Sequence, residues 1–185
     1  MKETRQYNNT ITANSRTVEG YAVVFNSESR DLGGFIEVID PNALTDVLPK
    51  SDVLCLLNHA EDRGVLARCK YGAGSLELEV DDIGLRYKFE APNTALGDEL
   101  IEGLKRGDIS TSSFAFSTKR DKWENKNGIL YRTILEFGQI YDVSPVYQEA
   151  YPDTSVALRN MANFMEHRDI DKNYYVELRN SISNL

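Results

Sequence analysis

A hairpin in the middle of the chain is the sequence feature that most constrains its fold. In LELEVDDIGLRYKFE, residues 76–90, apolar and charged residues alternate on both sides of a short polar turn. A period of two is typical of a half-buried β-strand. One register pairs Leu78 with Tyr87 on the apolar face and Glu79 with Arg86 on the solvated face, and such pairs contribute about 0.2–1 kcal/mol each. The sequence therefore predicts an antiparallel hairpin and a fold built on β-sheet.

The rest of the chain contains more strand-like runs than helical ones. Apolar or β-branched runs of strand length lie near residues 18–25, 35–39, 53–57, 65–69, 109–118, 129–137 and 139–146. A helical period spans 94–106, and capping residues predict helices at about 41–48 and from 153 onward. Because strands and helices do not alternate regularly, a doubly wound sheet is disfavoured. We expect a mostly β (α+β) fold, an antiparallel β-barrel of about seven strands ringed by a few α-helices.

Composition excludes several classes of protein. The 185 residues include 29 acidic and 21 basic ones, a net charge of −8 that argues against binding nucleic acid through phosphates. No segment approaches the roughly 18 apolar residues of a membrane span, and the N-terminus lacks the apolar segment of a secretory signal. With two histidines and two cysteines, we expect no metal site and no cofactor. Pairing residue 57 with 67 would set Cys55 opposite Cys69, where two small buried side chains are favoured over a disulfide.

Ser113 is the first candidate for chemistry. In ISTSSFAFST, residues 109–118, Phe114 and Phe116 point to one side of a strand and Ser113 to the other, among small residues. This pattern is typical of a strand with a solvated polar face. It also suits a serine nucleophile with room for a substrate backbone. Strand alternation does not separate Ser113 from Thr111.

A serine hydroxyl is a weak nucleophile until a base removes its proton, and the chain offers two imidazoles. His59 follows the apolar run 53–57 in a polar loop, where a rigid strand would hold the ring and leave it accessible. His167 lies among charged residues in FMEHRD, which is typical of an exposed helix face. A single histidine in either setting is more often a plain surface residue, so the residues alone do not decide whether His59 or His167 is the base.

The identity of the carboxylate that would orient the imidazole is also undecided at this point. Glu77 and Glu79 have basic partners across the hairpin. Asp142 lies between apolar residues in QIYDVSPV, where a carboxylate needs a partner or a place at an edge. Glu136 lies in a similar setting, so both Asp142 and Glu136 stay candidates.

Several segments in a fixed order together carry a family resemblance. They are EGYAVVFNSES with DLGGFIEVIDPNAL, then VLCLLNHAEDRGVLAR, then LKRGDISTSSFAF, then FGQIYDVSPVYQEAYPDTSVALR, between about Gly20 and Arg159. The chain resembles the prohead maturation proteases of tailed phages, serine proteases that trim the capsid precursor during head assembly. The resemblance implies that His59 is the catalytic base, Ser113 the nucleophile and Asp142 the third member. It also implies a closed, mostly antiparallel barrel, similar to that of the herpesvirus assembly proteases.

The same resemblance implies a serine endopeptidase that acts without a cofactor. Its expected partners are the major capsid protein precursor, through its scaffolding segment, and the enzyme itself, with no nucleic acid and no membrane. The expected place of action is the bacterial host cytoplasm, inside the assembling prohead, and viral relatives suggest a homo-oligomer. We predict that residues 1–159 form the catalytic domain and residues 160–185 a helical or flexible C-terminal tail.

The chain departs from the family pattern at three positions around the candidate residues. Thr111 and Ala115 stand where glycine is common, and Ala60 stands where an aspartate commonly follows the histidine. Backbone N–H groups near a nucleophile must reach the developing oxyanion, so changes there affect catalysis. These departures motivate an alternative: a catalytically inactive capsid-assembly scaffold or decoration protein with the same fold.

Overall fold

The structure, a computed structural model, describes residues 1–7 and 11–147. The helix predicted from residue 153, the tail predicted at 160–185 and His167 lie outside the described residues, so these stay predictions. The described part contains eleven β-strands and one α-helix, so the fold is mostly β with few helices, as predicted. None of its helices is long and apolar enough to span a bilayer.

The strands are labelled β1 to β11 in chain order. They are β1 Glu3–Tyr7, β2 Thr12–Asn14, β3 Thr17–Val24, β4 Phe35–Ile39, β5 Asp52–Cys55, β6 Ala67–Lys70, β7 Ala73–Gly74, β8 Leu76–Val80, β9 Gly84–Glu90, β10 Thr111–Lys126 and β11 Ile129–Val146. The α-helix α1 spans Ala95–Arg106. Three short 3-10 helices span Pro41–Leu44, Leu48–Lys50 and Glu61–Arg63.

The strands form two sheets. The larger sheet follows the order β1-β10-β11-β5-β6-β7, and β4 also pairs with β11. The smaller sheet follows the order β2-β3-β9-β8, with every ladder antiparallel. In the larger sheet β4 and β5 both run parallel to β11, whereas its other ladders are antiparallel. Buried apolar side chains from both sheets join in one core.

The predicted antiparallel barrel of about seven strands is therefore corrected for the described residues, which form two sheets, one of them mixed, and no closed barrel. The cause is β11, an 18-residue strand that the sequence pattern divided into two. One edge of β11 pairs with β10. The other edge pairs with β4 along 130–134 and with β5 along 142–143. A strand this long holds two chain segments that return in the same direction.

The hairpin that carried the fold prediction is present in the predicted register. β8 and β9 pair Leu78 with Tyr87 and Glu79 with Arg86. The apolar face is buried at Leu76 and becomes exposed toward the turn, where Val80 is 44% exposed. On β9, Leu85, Tyr87 and Phe89 are all buried. The alternation therefore identifies both strands, and the core covers β9 along its length but β8 only at the end away from the turn.

The helix predicted over 94–106 is confirmed, and its ends have the expected caps. The Thr94 side chain accepts a hydrogen bond from the Gly97 N–H at 3.3 Å. Gly107 has φ of 78°, the left-handed conformation in which glycine commonly ends a helix. The helix predicted at about 41–48 is instead two separate 3-10 turns, Pro41–Leu44 and Leu48–Lys50.

The two cysteines are free and buried, as predicted, but the predicted register of their strands is wrong. Cys55 pairs with Ala67, and Cys69 pairs with Val53, so the ladder is shifted by two residues. The connection between β5 and β6 contains a 3-10 turn at Glu61–Arg63, which the prediction treated as plain loop.

Four charged side chains are buried together where β1 meets the core. Arg132 and Glu37 are completely buried, and Glu3 and Arg5 are 2% and 5% exposed. Arg132 Nη1 donates to Glu3 Oε2 at 2.6 Å and to Glu37 Oε2 at 2.9 Å. Burial alone raises the pKa of Glu3, but the hydrogen bond and charge of Arg132 and the charge of Arg5 hold it below its ordinary value. The N-terminal strand is therefore held by ion pairs as well as by its ladder.

Replacing Arg132 tests this buried cluster. Arg132→Met would leave Glu3 and Glu37 buried with a missing partner, so the free energy of unfolding should fall by about 3–5 kcal/mol. Urea unfolding at neutral pH measures the change. Arg120→Met is the matched control, because Arg120 pairs with Glu136 on the surface and its loss should cost about 1 kcal/mol or less. Equal small losses in both variants would contradict the stabilising role of the cluster.

Candidate active site

The structure brings His59, Ser113 and Asp142 into one hydrogen-bonded chain. His59 Nε2 lies 2.6 Å from Ser113 Oγ, and His59 Nδ1 lies 2.5 Å from Asp142 Oδ1. With the proton on Nδ1, the ring donates to the carboxylate and its Nε2 accepts from the serine hydroxyl. This is the connectivity that a nucleophile, a base and an orienting carboxylate require.

Pairing of β10 with β11 places two of the three residues. Ser113 pairs with Ser144, and Ala115 pairs with Asp142. Directly paired residues share a face of the sheet, as do residues two apart on one strand, so all four side chains lie on the same face. Ser113 and Asp142 are diagonal neighbours there, and the small side chain of Ala115 leaves room between them for an imidazole.

β5 and the loop that follows it bring the third residue. β5 runs parallel to β11 at Asp142 and Val143, and the chain continues alongside β11 after β5 ends. The Asn58 N–H donates to the Pro145 carbonyl at 2.9 Å, which fixes the loop beside the carboxyl end of β11. Asn58 and His59 both have positive φ, 55° and 59°. Such left-handed non-glycine residues are strained and are frequent at functional sites.

Asp142 is almost completely buried, with 2% of its side chain exposed. Its Oδ1 accepts from His59 and also from the Ser144 hydroxyl at 2.7 Å. The ammonium of Lys2 lies 3.2 Å from Oδ2, but not in a hydrogen-bonding direction. Burial alone raises the pKa of Asp142, whereas His59, Ser144 and Lys2 together lower it below its ordinary value. The carboxylate is thus held as an anion beside the imidazole.

Ser113 is completely buried, because β1 covers it. β1 pairs with β10 along its length, with Arg5 opposite Phe114 and Gln6 opposite Ser113. The Ser113 hydroxyl lies 2.9 Å from the main-chain carbonyl oxygen of Arg5, a second acceptor besides His59 Nε2. In this arrangement the main chain of β1 fills the space directly over the serine hydroxyl.

The other sequence candidates lie elsewhere. Glu136 forms ion pairs with Lys119 and Arg120, not with the imidazole. Glu79 pairs with Arg86, as predicted from the hairpin. The hydroxyls next to Ser113 are separate as well, because Ser112 Oγ lies 2.8 Å from the Tyr87 hydroxyl and Thr111 accepts from Gln6. Geometry therefore selects Asp142 over Glu136 as the partner of His59.

Sequence reasoning missed Lys2, Ser144 and the strand β1. Ser144 had a detectable signal, since it lies two residues after Asp142 in a strand and so shares its face. Glu3 and Arg5 alternate with polar neighbours in ETRQY and lack the apolar face that identifies a strand. In the part of the chain that the structure describes, no three His, Cys, Asp or Glu side chains are grouped to hold a metal ion.

Removing the Ser144 hydroxyl tests the environment of the carboxylate. Ser144→Ala deletes one of the hydrogen bonds that lower the pKa of Asp142, so that pKa should rise toward the ordinary value. A group with a lowered pKa adds stability above its unfolded pKa of about 3.9, and this stability is lost as pH falls through the folded pKa. The variant should therefore show a smaller pH-dependent loss of stability in acid.

Carboxyl NMR titration of Asp142, with urea unfolding at several pH values, measures both effects. Ser51→Ala is the matched control, because Ser51 is also buried and donates to a backbone carbonyl outside the site. If the two variants titrate alike at Asp142, Ser144 does not tune this carboxylate.

Comparison with known proteins finds a matching family model and a solved structure of similar fold. Residues 3–168 match the family model of the caudovirus prohead serine proteases. No curated protein matches the chain. Among solved structures, the capsid assembly protease of bacteriophage T4 is similar at 13% identity and a TM-score of 0.50, over 80% of this chain and 97% of the T4 chain. At this identity the likeness shows a shared fold alone. The family match covers most of the chain, which therefore belongs to the caudovirus prohead serine protease family.

Proposed function

We propose that this protein is a serine endopeptidase of phage head maturation whose catalytic residues are Ser113, His59 and Asp142. The observation that carries the proposal is the unbroken path from Ser113 Oγ through the His59 ring to Asp142, with contacts of 2.6 and 2.5 Å. The chain's membership of a serine protease family supports the same reaction class.

The proposed mechanism follows from the order of these contacts. Ser113 Oγ attacks the carbonyl carbon of a peptide bond while His59 Nε2 takes the hydroxyl proton. Asp142 holds the ring through Nδ1 and stabilises the imidazolium that forms. The imidazolium then gives its proton to the leaving amine, and water hydrolyses the acyl-enzyme ester with His59 again acting as base.

Backbone N–H groups are the proposed donors to the oxyanion. Near Ser113 the strand β10 is hydrogen-bonded on both sides, to β1 and to β11. Departure of β1 would free the N–H groups of β10 that face it, next to the nucleophile. Fixed N–H donors of this kind are commonly the largest contribution to catalysis in acyl transfer.

Access to Ser113 requires β1 to move. The serine is completely buried, and the Arg5 carbonyl lies against its hydroxyl. No carbonyl of a separate substrate chain reaches Ser113 Oγ while that contact persists. The described arrangement is thus a closed form, and cleavage of the enzyme by itself, which the family resemblance implies, gives one route to an open one.

The proposed substrate is the scaffolding segment of the major capsid protein precursor. Two comparisons support it: the matched family is that of the caudovirus prohead proteases, and the T4 neighbour is a capsid assembly protease. The proposed place of action is the interior of the assembling prohead in the host cell. The net charge of −8 suits a protein that works there without binding the genome.

Co-expression with the capsid precursor of the same phage tests the proposal. Ser113→Ala and His59→Ala should each lower the rate of precursor trimming by about 10⁶-fold, which abolishes it in a gel assay. Asp142→Asn should lower the rate by about 10⁴-fold. Ser112→Ala is the matched control, because its hydroxyl faces Tyr87 and trimming should continue.

The same experiment distinguishes the alternative function from the proposed protease. An inactive scaffold or decoration protein predicts that wild type and all variants leave the precursor intact and support assembly equally. Circular dichroism of each variant confirms that loss of trimming does not reflect loss of the fold. Trimming by the Ser113→Ala variant would show that Ser113 is not the nucleophile.

A further inference from the structure

The Arg5–Gln6 peptide of β1 lies at the nucleophile. The Arg5 carbonyl oxygen is 2.9 Å from Ser113 Oγ, which is itself 2.6 Å from His59 Nε2. Gln6 is the cross-strand partner of Ser113. If Ser113 is the nucleophile, as proposed above, this peptide bond is the main-chain bond that lies against its hydroxyl. The side chain of Arg5 then marks the primary pocket, which receives the residue on the amino side of the cleaved bond.

That pocket is built for a guanidinium. Arg5 Nε donates to Glu37 Oε1 at 2.7 Å and Arg5 Nη2 donates to Glu37 Oε2 at 2.9 Å, a two-pronged contact to a completely buried carboxylate. Arg5 Nη2 also donates to Glu3 Oε2 at 3.0 Å. The guanidinium carbon lies 5.5 Å from the centre of the Phe116 ring, and Nη1 donates to the Thr4 carbonyl at 2.8 Å.

The charge left in the pocket without β1 also favours a cation. Glu37 on β4 and Asp121 on β10 remain, against the single guanidinium of Arg132, which contacts both carboxylates. Glu37 is completely buried and would lose both hydrogen bonds to Arg5, whereas the Asp121 side chain is 23% exposed, so the carboxylate left short of a partner is that of Glu37. An arginine that enters the pocket restores both hydrogen bonds to Glu37, and its planar fork fits the Glu37 carboxylate as a lysine ammonium does not.

We propose that the enzyme cleaves peptide bonds on the carboxyl side of arginine, that Glu37 is the specificity-determining residue, and that the Arg5–Gln6 bond of its own chain is such a site. Attack of Ser113 Oγ on the Arg5 carbonyl carbon forms an ester as the C–N bond to Gln6 breaks. The serine proton passes through His59 to the new amine. One water then hydrolyses the ester, which releases residues 1–5 with a new carboxylate and returns the proton to Ser113.

Glu3 shares the face of Arg5 on β1 and adds a second position to the recognised sequence. Its carboxylate accepts from Arg132 Nη1 at 2.6 Å and from the Thr118 hydroxyl at 2.7 Å. Because residues two apart lie on one face of a strand, an acidic residue two positions before the arginine fits the same buried cluster. A substrate with the pattern acidic, any residue, arginine therefore matches every charged contact that β1 makes.

A peptide series tests the specificity with the full-length enzyme. The series is MKETRQYNNT, the first ten residues of the chain, with Arg, Lys, Gln or Glu at the fifth position. Cleavage between the fifth and sixth residues should be fastest for Arg, with kcat/KM exceeding that for Gln by on the order of 10³-fold. A preference for Gln or Glu, or no cleavage of any of these peptides by enzyme that trims the precursor, would overturn the proposal.

The chain's own N-terminus gives a second readout. Intact mass and N-terminal sequencing of purified wild type should show a chain that begins at Gln6. The chain should stay intact in Ser113→Ala and in Arg5→Gln, whereas Arg5→Lys should be cut slowly. A wild-type chain that trims the precursor but keeps residues 1–5, or an Arg5→Gln chain cut as fast as wild type, would contradict the assignment.

Glu37→Gln tests the pocket residue itself. This variant should lose the preference for Arg over Gln in the peptide series while it still cleaves. Glu136→Gln is the matched control, since Glu136 forms surface ion pairs and its loss should leave the preference unchanged. If Glu37→Gln does not fold, the peptide series with wild type still decides the specificity. Precursor trimming by wild type and its absence in Ser113→Ala show separately whether the proposed function holds.

Discussion

The register between β10 and β11 is the constraint on which the rest of the site depends. It sets Ser113 opposite Ser144 and Ala115 opposite Asp142, so nucleophile and carboxylate share one face of one sheet. A shift of β11 by one residue would turn Asp142 and Ser144 to the face opposite Ser113. The bulge after Ala115, where the partner changes from Asp142 to Ile140, leaves Tyr141 unpaired and restarts the alternation beyond the site.

The other edge of β11 brings the imidazole to this register. β5 joins β11 in parallel at Asp142 and Val143, and the loop after β5 turns through two left-handed residues to present His59. The base thus arrives from a different part of the chain than the hairpin that holds its partners. Rigid strands on three sides fix the geometry to within hydrogen-bond distance, as acyl transfer requires.

The candidate residues of the site could be predicted from the sequence because they leave local signals, but the family resemblance was needed to choose among them. Ser113 lies on the small face of an alternating strand, His59 follows an apolar run, and Asp142 is a carboxylate between apolar residues. The alternation of apolar and charged residues is another local signal, and it predicted the β8–β9 hairpin in its observed register. The residues alone did not separate Asp142 from Glu136, because both settings look alike until the cross-strand partners are known; the family resemblance implied Asp142.

What could not be predicted depends on contacts between distant segments. The parallel pairing of β4 and β5 with β11 has no local pattern, since each segment reads as an isolated apolar strand. The short strand β1 has charged side chains at Glu3 and Arg5 where a buried strand ordinarily has apolar ones, and Arg132 and Glu37 neutralise them only after folding. The rule that charged side chains lie on the protein surface fails where several ion pairs are buried together.

Active-site labelling during turnover tests most directly that Ser113, driven by His59 and Asp142, is the nucleophile of this protein. The wild-type enzyme would be treated with a fluorophosphonate while it trims the capsid precursor, and the adduct located by peptide mapping. We expect a single adduct on Ser113, trimming that stops in proportion to labelling, and no adduct in His59→Ala. An adduct on Ser110 or Ser112 with loss of trimming, or trimming that continues with Ser113 fully labelled, would contradict the mechanism.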